Sequence, residues 1–241
     1  MSTARAFIFD VFGTLVDWRG SVRRELEKAF KTKGITADPH AVAVAWRDQY
    51  DPSMAPIRDG RRGYTSLDIL HRENLQRVLD RFGVAGFTEA ELADLTRAWE
   101  RLDPWPDTVD GLNAIRQCGL VATCSNGSIA LMANLARHAG LNWDCILGAE
   151  IARNYKPHPD TYLKSCAALQ LPPASVMMVA AHNDDLAAAR AAGLQTGFIP
   201  RAHEHADPDR NELEPAADWE VTGTDLVDLA RKLQALASIR A

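Results

Sequence analysis

"FIFDVFGTLVD", residues 7–17, is the stretch that decides the fold of this chain. It opens with a short apolar run of the kind that forms a fully buried strand. The run ends at one acid, Asp10, and a turn-prone Gly-Thr pair at positions 13 and 14 closes it. A carboxylate at the exit of a buried strand calls for a chemical reason, so Asp10 is the first candidate functional residue.

Further apolar runs along the chain alternate with segments of helical periodicity. Continuous apolar strands separated by helices predict an α/β fold with a Rossmann-like parallel sheet covered on both faces. Strands are expected at 5–12, 120–126, 145–150, 176–181 and 196–200, and helices at 107–117, 128–139, 159–169, 184–192 and 224–237.

Residues 18–104 break this alternation, because only helical patterns lie between the first strand and the next. These patterns cover about 21–33, 39–50, 65–82 and 88–101. A crossover between parallel strands needs only about a dozen residues, so the extra length predicts a helical cap inserted into the core. "DPWPD" (103–107) is a plausible hinge. We expect a core domain of 1–17 and 105–241 and a cap domain of 18–104.

Composition limits the classes of function. The chain has 241 residues and a net charge of −5 without a long basic run, which disfavours nucleic acid as a partner. No apolar stretch is long enough to span a bilayer, and the N-terminus does not resemble a signal peptide. The four cysteines form no C-x-x-C pair, so we expect free thiols in the reducing cytoplasm rather than a zinc site. No G-x-G-x-x-G follows the first strand, which excludes a dinucleotide-binding dehydrogenase.

Polar residues follow four of the predicted strands. Because ligands bind outside the carboxyl ends of parallel strands, we expect these residues to converge on one site. They are Asp10 and Thr14, then Ser125 and Asn126, then Asn154, Tyr155 and Lys156, and finally His182, Asn183, Asp184 and Asp185. The polar segment 202–215 is expected to be a solvated surface loop. Its histidines, His203 and His205, suggest a metal less strongly than they suggest such a loop.

Four of these motifs resemble those of the haloacid dehalogenase superfamily in order and spacing. They are Asp10-x-x-x-Thr14, Ser125-Asn126, Lys156-Pro157 and Asp185. Most members of that superfamily are magnesium phosphatases with D-x-D, whereas Phe12 occupies the third position here. "FDVFGTLVD" instead resembles the (S)-2-haloacid dehalogenase branch, as do "SNGS" (125–128), "YKP" (155–157), "DWEVT" (218–222) and the pair "WR" (46–47).

The resemblance implies hydrolytic dehalogenation of short 2-haloacids through an aspartyl ester, without cofactor or metal. Asp10 would be the nucleophile, and Lys156 and Asp185 would orient the water and stabilise the oxyanion. The resemblance implies further roles for the residues around them. Thr14 would orient Asp10, and Arg47 and Asn126 would receive the halide. The substrate carboxylate would be placed by Ser125, Tyr162 and the backbone at Val11 and Phe12. An aromatic Phe12 would keep the site dry, which favours a carboxylate nucleophile. A homodimer is expected by analogy.

Two departures from the family pattern leave alternatives open. Where relatives have Ser-Ser-Asn after the fourth strand, this chain has Ala180-Ala181-His182. His182 could position the hydrolytic water or donate to a halide, and the second role would suit fluoroacetate. Asp184 and Asp185 form an acid pair that could in principle hold magnesium. A magnesium phosphatase and a catalytically silent binding protein on this fold are therefore the alternatives.

Overall fold

The computed structural model describes residues 4–238, so the first and last three residues of the expected core domain lie outside the described residues. Its centre is a five-stranded parallel sheet with the order β4-β1-β5-β6-β7, which confirms the predicted α/β fold. The strands are β1 (Ala6–Phe9), β4 (Leu120–Thr123), β5 (Val176–Ala180), β6 (Gln195–Phe198) and β7 (Val221–Thr222).

Strand β1 lies in the middle of the sheet and is buried on both faces. Its side chains alternate between two apolar layers: Phe7 and Phe9 belong to one cluster, and Ala6 and Ile8 to the other. This explains why its sequence is continuously apolar. The helices that cover the sheet are α6 (Thr108–Ile115), α7 (Ile129–Ala139), α8 (Ala149–Ala152), α9 (Pro159–Ala168), α10 (Asn183–Ala191) and α11 (Leu226–Ser238).

The strand expected at 145–150 is wrong. Only Cys145 forms a bridge, to Ala122, and residues 149–152 are helical. The hydroxyl of Thr123 accepts from the Leu147 backbone N at 2.8 Å and donates to the Leu147 carbonyl at 2.7 Å. A side chain therefore holds this segment where a strand ladder was expected.

Between β1 and β4 the chain forms helices and one small ribbon. The ribbon pairs β2 (Val16–Asp17) with β3 (Asp103–Pro104) in antiparallel fashion, near the two expected domain limits, which stay a prediction. The expected helix at 39–50 is split by Gln49, and the structure adds a helix at 50–58 that the sequence did not indicate. The helices are α1 (Trp18–Lys33), α2 (Pro39–Asp48), α3 (Tyr50–Arg58), α4 (Leu67–Arg81) and α5 (Glu89–Thr96), followed by a 3₁₀ turn, Arg97–Glu100.

The 202–215 loop agrees with expectation except at one residue. Most of the loop is exposed, but Glu204 is only 3% exposed. Arg19 on α1 fixes the loop by donating to the backbone carbonyls of Glu204 at 3.1 Å and His203 at 2.8 Å. The Glu204 side chain therefore belongs to the interior. Among residues 4–238, no helix is both long and apolar enough to cross a membrane.

Candidate active site

Asp10 is the first residue after β1, and its neighbours fix it in place. Its backbone N donates to the Val179 carbonyl of β5 at 3.0 Å. The hydroxyl of Thr14 donates to Asp10 Oδ2 at 2.6 Å and accepts from the Ala181 backbone N at 3.0 Å. Gly13 makes the intervening turn at φ +85°, a conformation that glycine adopts without steric cost. The turn thus brings Thr14 back onto the carboxylate four residues earlier.

Lys156 joins two of the predicted acids. Its Nζ donates to Asp10 Oδ1 at 2.7 Å and to Asp185 Oδ2, while the ammonium group is almost fully buried. The Lys156 backbone N donates to Asn126 Oδ1 at 2.8 Å, which ties the lysine to the exit of β4. Tyr162 donates its hydroxyl to Asp185 Oδ1 at 2.6 Å. Residues from all four predicted motifs therefore form one hydrogen-bonded group.

The charges of this group follow from burial and pairing. Burial alone would raise the pKa of Asp10, but Lys156 and His182 outweigh it and hold the pKa below its usual range. Burial would lower the pKa of Lys156, yet the two neighbouring carboxylates raise it. For Asp185, burial dominates and raises the pKa, because Lys156 offsets it only in part. Asp10 is therefore an ionised carboxylate, paired with a buried ammonium.

His182 contacts two carboxylates, one at each ring nitrogen. Nδ1 lies 3.2 Å from Asp10 Oδ2, and Nε2 lies 2.8 Å from Glu204 Oε2. Burial would lower the pKa of His182, but Glu204 and Asp10 raise it well above its usual value. Trp18 Nε1 donates to Glu204 Oε1 at 3.2 Å. An alanine Cβ at Gly13 would lie 2.1 Å from the same oxygen, so the glycine also makes room for Glu204.

Glu204 is one residue at the candidate site that the sequence did not reveal. It lies in a polar loop, 22 residues after His182, and no spacing rule links the two. The one signal in the sequence was an acid between two histidines, "HEH" (203–205), and this pattern suggested a solvated loop or a metal site. Its burial follows from contacts with Trp18 and Gly13, which are distant in sequence.

The opposite wall of the pocket carries the rings of Phe12 and Tyr50 and the guanidinium of Arg47, together with the acids Asp48 and Asp51. The guanidinium of Arg47 lies 4.0 Å from the ring centroid of Tyr50 and 5.5 Å from that of Trp18. Its buried Nε has no hydrogen-bond partner within residues 4–238. Phe12 packs edge-on against Tyr50, with centroids 6.2 Å apart. This wall therefore offers a cation that lies over aromatic rings.

A cavity of about 360 Å³ separates the two walls. Seven of the eleven residues that were given a role from the sequence line it, and Asp184 lines it as well; the seven are Asp10, Phe12, Arg47, Asn126, Lys156, Asp185 and His182. The other four are buried but are not among its lining residues. Thr14 is hydrogen-bonded to Asp10, and Tyr162 is hydrogen-bonded to Asp185. The Ser125 hydroxyl accepts from the Gly127 backbone N at 3.1 Å, and Val11 is fully buried.

The donor set does not resemble a metal centre. Within residues 4–238, no group of three or more His, Cys, Asp or Glu side chains is arranged to hold a metal ion. Asp184 Oδ1 accepts from the Asp185 backbone N at 2.7 Å, and the ammonium of Lys156 bridges Asp10 and Asp185. The two acids that could have formed a magnesium site are thus already partnered.

Comparisons with known proteins agree with this geometry. A family model described as haloacid dehalogenase-like hydrolase matches residues 4–193. An (S)-2-haloacid dehalogenase of Xanthobacter autotrophicus is 30% identical, over 84% of this chain and 77% of the relative. A defluorinating L-2-haloacid dehalogenase of known structure is 43% identical, with a TM-score of 0.94 over 96% of this chain and 95% of that chain. Another L-2-haloacid dehalogenase structure is 45% identical, with a TM-score of 0.92 over 96% and 99%.

Proposed function

This chain belongs to the haloacid dehalogenase-like hydrolases, in their (S)-2-haloacid dehalogenase branch, and we propose that it hydrolyses short 2-haloacids to 2-hydroxyacids. One observation carries the proposal: the ionised Asp10 is paired with the buried Lys156, in a pocket whose opposite wall carries the rings of Phe12 and Tyr50. Phe12 occupies the position where a phosphatase needs its second acid. Carbon–halogen displacement needs no such acid, because a halide leaves without a proton.

In the first step, a carboxylate oxygen of Asp10 donates an electron pair to C2 of the haloacid. The carbon–halogen bond breaks with its electrons on the halide, and an aspartyl ester remains. Displacement is in line, so the configuration at C2 inverts and the halide departs on the side away from Asp10. Arg47 and Asn126, which line the cavity beside Phe12, are the proposed halide donors.

The substrate brings its own carboxylate close to Asp10, so cations and donors are needed to offset the repulsion. Lys156 and Arg47 supply the positive charge. Of the residues expected to hold the substrate carboxylate, Phe12 lines the cavity and is proposed to offer its backbone N–H, whereas Ser125 and Val11 are buried and do not line it. Tyr162 keeps Asp185 in place by its 2.6 Å hydrogen bond.

In the second step, water attacks the ester carbonyl and the 2-hydroxyacid leaves. Negative charge develops on the carbonyl oxygen of Asp10, where the buried ammonium of Lys156 already lies 2.7 Å away. A preorganised cation in a dry site stabilises such an oxyanion strongly. Asp185 holds the ammonium and is proposed to orient the water.

The experiment is a halide-release panel of fluoroacetate, chloroacetate and both enantiomers of 2-chloropropionate. We expect halide from chloroacetate and L-2-chloropropionate in the presence of EDTA, and no halide with Asp10→Asn. A single turnover in heavy-oxygen water should place label in Asp10, as read by mass spectrometry of its peptide. Asp184→Asn is the matched control, because Asp184 touches neither Lys156 nor Asp10, and it should retain halide release. Wild-type halide release by Asp10→Asn, or no label in Asp10, would contradict the proposal.

The two alternative functions give different results in the same assays. Magnesium-dependent hydrolysis of p-nitrophenyl phosphate, without halide release, would indicate the phosphatase. Failure with every haloacid and phosphate would indicate a silent binding protein. The position of Lys156 between Asp10 and Asp185 favours neither the phosphatase nor the silent binding protein.

We also propose a further substrate, a cellular compartment and an oligomeric state. Fluoroacetate is a proposed substrate, supported by the 43% identity to a defluorinating enzyme, and a fluoride electrode tests it. The four cysteines are free thiols, which supports a cytoplasmic enzyme. A homodimer is proposed by analogy, and light scattering after gel filtration measures it.

A further inference from the structure

The pair His182–Glu204 is the part of the site that the reaction above does not use. The imidazole bridges Asp10 and Glu204 through its two nitrogens, and 22% of its side chain is exposed toward the cavity. Glu204 is held by Trp18 and accommodated by Gly13, so its carboxylate stays on His182. A buried ionised pair anchored this firmly points to a role in proton transfer.

Geometry decides which step His182 can serve. Its Nδ1 contacts Asp10 Oδ2, on the nucleophile's side of the reacting carbon. The halide departs away from that carboxylate, so His182 cannot reach it while this contact holds. The same nitrogen is next to the place where the ester forms and where water must attack. His182 therefore belongs to the hydrolytic step.

The charge around His182 changes during the reaction. In the resting enzyme the ring faces two carboxylates, which favour the imidazolium form. Ester formation neutralises Asp10 and leaves Glu204 as the one directly bonded anion. Ester formation makes and breaks no bond at the other acidic and basic side chains that line the cavity, which are Arg47, Asp48, Asp51, Lys156, Asp184, Asp185, His205, Arg210 and Glu212.

Building on the proposed function, we propose that alkylation of Asp10 releases the Nδ1 proton of His182 to solvent, and that the neutral ring, held at Nε2 by Glu204, is then the base that deprotonates the hydrolytic water. Ester formation removes one of the two anions that hold the protons on the ring, while Glu204 remains. Glu204 keeps the remaining proton on Nε2, so the lone pair of Nδ1 faces the ester. His182 is a catalytic residue in this scheme and Glu204 is a positioning residue.

Atoms and charges balance over the cycle. In the first half, carboxylate and haloacid give ester and halide, and His182 gives one proton to solvent. In the second half, His182 takes a proton from water, hydroxide adds to the ester carbonyl, and the C–O bond breaks to give the 2-hydroxyacid and the Asp10 carboxylate. The imidazolium is restored. The net products are 2-hydroxyacid, halide and one proton, with the proton released together with the halide.

The timing of that proton is the test. With enzyme in excess over L-2-chloropropionate, halide, ester and proton are followed in one turnover by quenched flow, mass spectrometry and a pH indicator. We expect about one proton per halide in the first phase, before the 2-hydroxyacid appears. A proton that appears only with the 2-hydroxyacid would overturn the proposal. Mixing with propionate, which cannot react, corrects for protons released on binding.

Variants test the role of His182 even if halide release and ester hydrolysis overlap in time in the wild type. His182→Asn should release halide without a proton, and the ester should then decay about 10²-fold or more slowly, as expected for loss of a general base. Glu204→Gln should also accumulate ester.

Glu212→Gln is the matched control. It removes a carboxylate of the same loop that is bonded to Asn183 rather than to His182, and it should keep both the halide phase and the ester phase. Ester hydrolysis at the wild-type rate in His182→Asn would refute the role of His182. Absence of halide from every haloacid would instead refute the proposed function itself.

Discussion

The two walls of the cavity are built on opposite principles. On the sheet edge, the charged groups around Asp10 are paired: Lys156 lies between Asp10 and Asp185, and His182 between Asp10 and Glu204. The facing wall includes Phe12 and Tyr50, which belong to an aromatic cluster whose other rings do not line the cavity. The members of the cluster are Phe12, Trp18, Trp46, Tyr50, His71 and Trp99, and neighbouring centroids lie 4.3–6.5 Å apart.

The comparison shows how one wall sets the chemistry of the other. Aromatic rings exclude water and lower the local dielectric, so the ion pairs on the sheet edge act more strongly than they would in water. Even His71, inside the aromatic cluster, carries no charge, because burial and the nearby Arg47 lower its pKa well below the usual value. Arg47 lies over two rings of this cluster, and its contact with the substrate stays a prediction.

Removing the central cation should have the largest effect. Lys156→Met leaves Asp10 and Asp185 facing each other without their shared ammonium. We expect halide release to fall by about 10³-fold or more, and the free energy of unfolding to drop by about 3–5 kcal/mol, as for other broken buried pairs. Halide assays and urea denaturation measure the two effects. Lys164→Met is a control on an exposed lysine, and equal losses in both variants would contradict the contrast between the walls.

Opening the aromatic cluster should cost stability first. Trp99 is 1% exposed and contacts four other rings of the cluster. Trp99→Ala should lower the free energy of unfolding by about 3–5 kcal/mol. Trp99→Phe, which keeps a ring, should lose less. A melting temperature that is unchanged in Trp99→Ala would show that the cluster is not a packed wall.

Gly13→Ala would disturb the contact between Glu204 and the turn after Asp10. The new Cβ would meet Glu204 at 2.1 Å and the backbone is at φ +85°, so we expect a loss of about 1–3 kcal/mol and a slower ester hydrolysis. Gly34→Ala is the matched control, since its φ is +67° and nothing lies within 4 Å of the added Cβ. It should share the backbone strain without affecting the ester. If the ester decays at the same rate in both variants, the space that Gly13 leaves for Glu204 does not matter for ester hydrolysis.

The smallest expected effect is a pH dependence of stability. The folded-state pKa of His182 is raised, so its stabilisation is fully present below its unfolded value of about 6.5 and is lost as pH rises through the folded pKa. The melting temperature of the wild type should therefore exceed that of His182→Asn by about 2–4 °C near neutral pH, and less at alkaline pH. Calorimetry from pH 6 to 10 measures this. A difference that grows with pH would have the wrong sign.

The sequence by itself determined the parallel sheet and the group Asp10, Lys156 and Asp185. Buried strands carry a local signature in their apolar residues, and the carboxyl ends of parallel strands meet at one edge whatever the details of packing. The helices between β1 and β4 were also visible, since their periodicity is local, with the exception of α3 (Tyr50–Arg58). The roles of these residues in catalysis stay predictions until the variants are measured.

The tertiary structure alone decided what bonds to His182 and where the sheet ends. Glu204 reaches the site because Trp18, 186 residues away, donates to it and because Gly13 leaves it space. The expected strand at 145–150 was lost to the hydroxyl of Thr123. In both cases a side chain meets a partner that is distant in sequence, and neither periodicity nor spacing carries a record of such a contact.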